Sequence, residues 1–175
     1  MTFSNMRPII WFLVRFFATY SILSITYSWY ISGFTTKSGD PITMLVSEQI
    51  VAIGDLLGND WKLYEPGNEK SIWIMENDYS LVRMFEGCNG ITIMILFVSF
   101  LFGLSAFHSS LLWFIPAGLL LIHLANLIRI YALILVQVNR PEWTGFVHKY
   151  LFTLILYAFV FALWVWWVQI LKKKR

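Results

Sequence analysis

Chemistry enters this chain at residues 86–91, Glu-Gly-Cys-Asn-Gly-Ile, which hold its one cysteine, Cys88, flanked by Gly87 and Gly90. The stretch lies where a polar segment gives way to a long apolar run, so the thiol is expected at a membrane mouth and not deep inside. Glycines on both sides let the backbone turn sharply and let another chain approach. Two more residues complete a chemical set. Arg129 stays charged at any relevant pH and can donate to a developing oxyanion. His148 can exchange a proton with a thiol and then with a leaving amine. A cysteine attacks as thiolate, a form that a nearby cation favours and apolar burial opposes. Nucleophile, proton shuttle and oxyanion donor are the minimal kit for acyl transfer through a thioester. Asn126, on the helix face of Arg129, is expected to orient that arginine or to bind a backbone group.

Each member also has a plain reading. A lone cysteine is most often a small buried apolar residue. A histidine at an interface is commonly an amphipathic end-residue, and a backbone carbonyl can satisfy an arginine within a span. The joint pattern outweighs its members only if the elements carrying them converge, so the elements come next.

The chain has 175 residues, of which 58% are hydrophobic, 18% aromatic and 13% charged. A soluble domain is nearer 45–50% apolar and about a quarter charged, so this is an all-α polytopic membrane protein folded as a single domain over residues 1–175. The net charge of +3 says little about partners, because the charges are segregated along the chain. One cysteine excludes an intramolecular disulfide and thiol-pair redox chemistry. No metal-ligand spacing, phosphate loop or dinucleotide fingerprint is present, so no metal, cofactor or nucleic acid is expected.

About four transmembrane helices are predicted, over residues 9–32, 91–107, 111–138 and 147–171. The first run is too long for a signal-peptide core and is expected to be retained. Its Arg15 is read as snorkelling to the near headgroups. Residues 33–88 form an insert between the first two spans. Asp40-Pro41 reads as an N-cap with proline at the first helical position. Ile42, Leu45, Val46, Ile50, Ile53 and Leu57 then recur at helical spacing, with Thr43, Ser47, Glu48 and Asp55 expected on the opposite side. That helix is expected to lie along the membrane surface or cap the bundle; the alternative is packing on the segment that follows. Residues 61–85 alternate aromatic and branched runs with turn clusters and read as a short β-hairpin, or two to three antiparallel strands.

Both termini then share a side. The basic cluster Lys172-Lys173-Lys174-Arg175, with Arg7, marks it as cytoplasmic. Cys88 and His148 fall at the outer ends of their spans. Arg129 lies roughly 12 Å below Gln137, within reach of the same mouth. His123 is well round the helix and reads as a bundle hydrogen-bonder, Glu86 as a solvated loop charge, and His108 drops out on the cytoplasmic side.

Cys88-Asn89-Gly90, then Asn126-x-x-Arg129 within a later span, then His148 opening the next, resembles the exosortase/archaeosortase family. The short length and the Cys-Asn-Gly form are similar to its exosortase F subgroup. The resemblance implies a bacterial inner-membrane cysteine transpeptidase or protease, with Cys88 as nucleophile, Arg129 as transition-state stabiliser and His148 as acid/base. Asn126, Asn89 and Gly90 would bind or orient substrate. Implied partners are the bilayer, the C-terminal tail of exported proteins (a short motif, a hydrophobic helix and a basic cluster) and an envelope acceptor. Against this stands a non-catalytic assembly or docking partner whose outer segment holds an exported protein. A transporter fits less well, because the intramembrane polar groups gather at one face instead of lining a path.

Overall fold

The computed structural model describes residues 3–34, 39–67, 69–105 and 109–173. Part of the connector after the first span, Asn68, His108 and the end of the basic cluster, Lys174 and Arg175, lie outside the described residues. Helix α1 (Phe3–Ser32) is followed by α2 (Pro41–Leu56), a sheet of β1 (Lys62–Tyr64), β2 (Ile72–Glu76) and β3 (Tyr79–Met84), and a single 3-10 turn, Glu86–Cys88. Helices α3 (Ile91–Ser105) and α4 (Leu111–Asn139) come next. A 3-10 turn, Pro141–Trp143, a short α5 (Thr144–Phe146) and a π-helical turn, Val147–Leu151, then lead into α6 (Phe152–Lys173).

Among the described residues, three stretches are long and apolar enough to cross a membrane: Met6–Ser32, Leu111–Asn139 and Pro141–Lys172. The expected second span corresponds to α3, whose 15 residues reach about 22 Å at 1.5 Å per residue, short of a hydrocarbon core of roughly 30 Å. The last span begins earlier than predicted, because the turns from Pro141 continue into α6. Helix α1 lies against α3, whereas α3, α4 and α6 pack on one another around Phe97, Leu101, Phe114, Ile122, Val160 and Trp167. A side chain at Gly118 would collide with the Phe97 ring, so the absence of a Cβ there lets α3 and α4 approach.

The insert has a second core. The predicted cap holds: Asp40 Oδ1 accepts from the backbone N–H groups of Ile42 and Thr43 at 3.0 Å, and Pro41 occupies the first turn. The face that α2 buries is partly the one expected: Val46 and Ile50 are buried and Glu48 and Asp55 exposed, but Thr43, Ser47 and Gly54 also turn inward, while Leu45 and Leu57 are exposed. Local bonds let the two hydroxyls go inside. Thr43 donates to the Asp40 carboxylate, and Ser47 donates to the Thr43 carbonyl at 2.8 Å. Helix α2 packs on β1, β2 and α4, which is the alternative placement. Gly54 opens a notch for the Trp61 ring, which a Cβ there would strike. The sheet is an antiparallel meander in the order β1-β2-β3. Its tight turn has Asn77 and Asp78 at φ 45° and 68°, as a two-residue hairpin with matching twist requires.

Candidate active site

The turn carrying Cys88 is built by backbone geometry first. Cys88 N–H donates to the Phe85 carbonyl at 2.7 Å, closing the 3-10 turn. Gly90 follows with φ 83°, which disfavours any residue with a Cβ, and a Cβ there would press on the Asn126 amide at 3.3 Å. Asn89 Oδ1 accepts from the Ile91 N–H at 3.0 Å and so caps α3. The Asn89 amide points inward, donating to Tyr27 Oη at 2.8 Å and to Thr43 Oγ1 at 3.3 Å. Asn89 is therefore an internal tie between α1, α2 and α3, turned away from solvent. Gly90 serves the turn.

Asn126, fully buried on α4, donates through Nδ2 to the Cys88 carbonyl at 2.9 Å. Its Oδ1 faces Arg129 Nη1 at 3.4 Å, the long end of hydrogen-bond range. One amide thus links the backbone of the cysteine to the guanidinium. The Arg129 charge acts on both the Cys88 thiol and the His148 imidazole. His123 bonds elsewhere, through Nε2 to Gln49 Oε1 at 2.8 Å, tying α4 to α2.

Cys88 is 5% exposed and belongs to the insert core with Val46, Ile72, Ile74, Met84, Leu127 and Ile130. Burial pushes its thiol pKa up; the Phe85 backbone and the Arg129 charge pull the other way without cancelling that. The resting thiol is neutral at neutral pH. A base must remove its proton before it attacks.

His148 sits in the π-helical turn, a departure from α geometry that is frequent at functional sites. Thr153 Oγ1 donates to the His148 carbonyl at 3.3 Å, occupying an acceptor near the widened turn. His148 lines a cleft of about 370 Å³ with Ser80, Leu81, Val82, Arg83 and Phe85 from the sheet side, and Leu133, Gln137, Thr144 and Gly145 from the helices. Phe85, at one end of this lining, lies three residues before Cys88, and its ring rests beside Gly87.

Sequence reasoning missed Tyr27, Thr43 and Phe85. Tyr27 lies within the first predicted span and Thr43 opposite the apolar stripe of its helix; neither carries a periodicity that marks a partner 62 or 46 residues away.

The family model described as Transmembrane exosortase (Exosortase_EpsH) matches residues 9–166, from α1 through most of α6. No curated protein and no solved structure matches. With Cys88, Asn126, Arg129 and His148 all inside the matched range, the chain belongs to the transmembrane exosortase family.

Proposed function

We propose that this exosortase is a membrane cysteine transpeptidase or protease, similar to the exosortase F subgroup, that cleaves C-terminal sorting tails of exported proteins outside the cytoplasmic membrane. The observation that carries the reading is the Cys88–Asn126–Arg129 link, with the arginine charge felt at both Cys88 and His148. Substrate binding brings the scissile carbonyl to Cys88 and His148 to the thiol. His148 takes the Sγ proton, and the sulfur attacks the carbonyl carbon. Arg129 stabilises the oxyanion as the C–N bond breaks. His148 returns the proton to the departing amine, leaving a thioester on Cys88. An envelope amine or water then attacks the thioester, giving an amide or an acid and restoring the thiol.

The outward placement rests on the positive-inside pattern of Arg7 and the C-terminal lysines. It puts the insert, the cysteine turn and the π turn on the side where exported proteins arrive.

The test is processing of a co-expressed tailed substrate by wild type, Cys88→Ala, Arg129→Ala and His148→Ala at matched membrane abundance. Loss in all three supports the reading; processing by Cys88→Ala overturns it. One observation favours a second reading: Cys88 is a packed member of the insert core. A non-catalytic docking partner for exported proteins would tolerate Cys88→Ser but not changes in residues 61–85.

A further inference from the structure

The sheet ends at β3, whose far side has no strand among the described residues. Such an edge presents main-chain N–H and C=O groups ready to pair with another chain. Here the edge opens on the cleft that holds His148. Ser80, Leu81, Val82 and Arg83, four consecutive residues, all line that cleft. Successive side chains of a strand point to opposite faces, so a cleft lined by four in a row runs along the edge and not over one face.

A bulge adds to this. Ile74 pairs with Val82 and Met75 with Ser80, so Leu81 has no partner in β2. Leu81 is thus the extra residue of a β-bulge, and it lines the cleft. The bulge explains one neighbouring pair on the same side, but not all four residues. The opposite wall is helical and open at Gly145, where a Cβ would meet nothing within 4 Å. At one end the cleft reaches Phe85, which leads into the cysteine turn.

We infer that the free edge of β3 is the docking strand for the substrate: an extended segment of the exported polypeptide adds to the sheet there, main chain to main chain, and is led toward Cys88. This rests on the proposed cleavage activity. The cleft also selects which part of the tail occupies it. Among the described residues, Arg83, held over the Trp73 ring at 4.3 Å, and His148 are its only ionisable lining groups, and no carboxylate lines it. A basic segment is disfavoured there. The occupant is the non-basic stretch before the tail helix, and not the basic cluster after it. Four strand residues cover roughly 13 Å, so about four substrate residues pair.

Two measurements test this. A benzophenone side chain installed at Ser80 in a Cys88→Ala background, with a co-expressed reporter whose tail wild type processes, should crosslink to the residues preceding the reporter's tail helix. The same group at Tyr64, on the opposite edge strand β1, should not. Leu81→Pro removes the main-chain N–H at the bulge, whereas Leu81→Ala removes the side chain and keeps the N–H. Processing by the proline variant should fall at least tenfold below that of the alanine variant at matched abundance. Absence of the Ser80 crosslink with a processed reporter overturns the docking strand and leaves the catalytic reading standing. So does a crosslink to a second copy of this chain, or equal processing by the two Leu81 variants. A Ser80 crosslink to the tail combined with cleavage by Cys88→Ala supports the docking strand and removes the thiol from the mechanism.

Discussion

The buried thiol sets the chemistry at the scale of single residues. Cys88 rests in an apolar core and its pKa is raised, so it is protonated where an exposed cysteine already ionises in part. Alkylation of the resting protein by a small maleimide is therefore expected to rise with pH later than alkylation of the same chain unfolded in denaturant. Arg129 lowers the thiol pKa, so Arg129→Met should move the folded profile to still higher pH. A folded profile at or below the unfolded one would contradict the burial argument, and an unmoved profile in Arg129→Met would sever the electrostatic link. Processing should respond more steeply than alkylation. Loss of His148 is expected to cost roughly 10²–10⁴-fold, the range of a general acid–base, and loss of Arg129 roughly 10²–10³-fold, that of an oxyanion donor.

Element ends place Cys88 and His148, and the body of a helix places Arg129. Cys88 precedes the first turn of α3, His148 sits in the π turn before α6, and Arg129 lies within α4, ten residues before its end at Asn139. Two ties hold the cysteine turn: Asn126 on its carbonyl, and Asn89 to Tyr27 and Thr43. Thr43 is in turn held by Asp40, which caps α2. Gly90→Ala is expected to destabilise by roughly 1–2 kcal/mol for its left-handed backbone, with a further cost for crowding Asn126. Asp40→Ala should cost about 1 kcal/mol as a lost cap and also free Thr43 from its carboxylate. Thermal unfolding in detergent reads both. Gly90→Ala should reduce processing beyond its effect on abundance, because it displaces the group that holds the Cys88 carbonyl; a purely proportional loss would argue against that role.

Across the whole molecule there are two cores with different physics. The α3–α4–α6 core is a membrane bundle, where helix contact gains little from leaving lipid and depends on close packing, as at Gly118 and Phe97. The insert core packs α2 and the sheet on the end of α4, and Cys88 belongs to it. Trp61 is its largest plug, fitted to the Gly54 notch and 5.6 Å from the Tyr131 ring. Trp61→Ala is expected to weaken the insert by roughly 3–5 kcal/mol. It should speed Cys88 alkylation at fixed pH while leaving hydrogen exchange in α6 unchanged. Equal loosening of α6 would show that the two cores unfold as one.

The sequence by itself determined the class and the cast. Long apolar runs, interfacial aromatics and segregated charge require a helical membrane protein, because each is a local property that lipid and water read directly. The Asp40-Pro41 cap, the strands and the Asn77-Asp78 turn were legible for the same reason: neighbours along the chain decide them. Cys88, Asn126, Arg129 and His148 stood out by residue type and position. Only the tertiary structure decided which side of α2 faces inward. Hydrophobicity ranks Thr43 and Ser47 as outside, but partners distant in sequence or one helical turn away satisfy their hydroxyls. It alone decided that Asn89 ties helices together, that the thiol is packed in the insert core, and that β3 and His148 line one cleft. Those facts depend on distances between residues far apart in the chain, and no local pattern carries them.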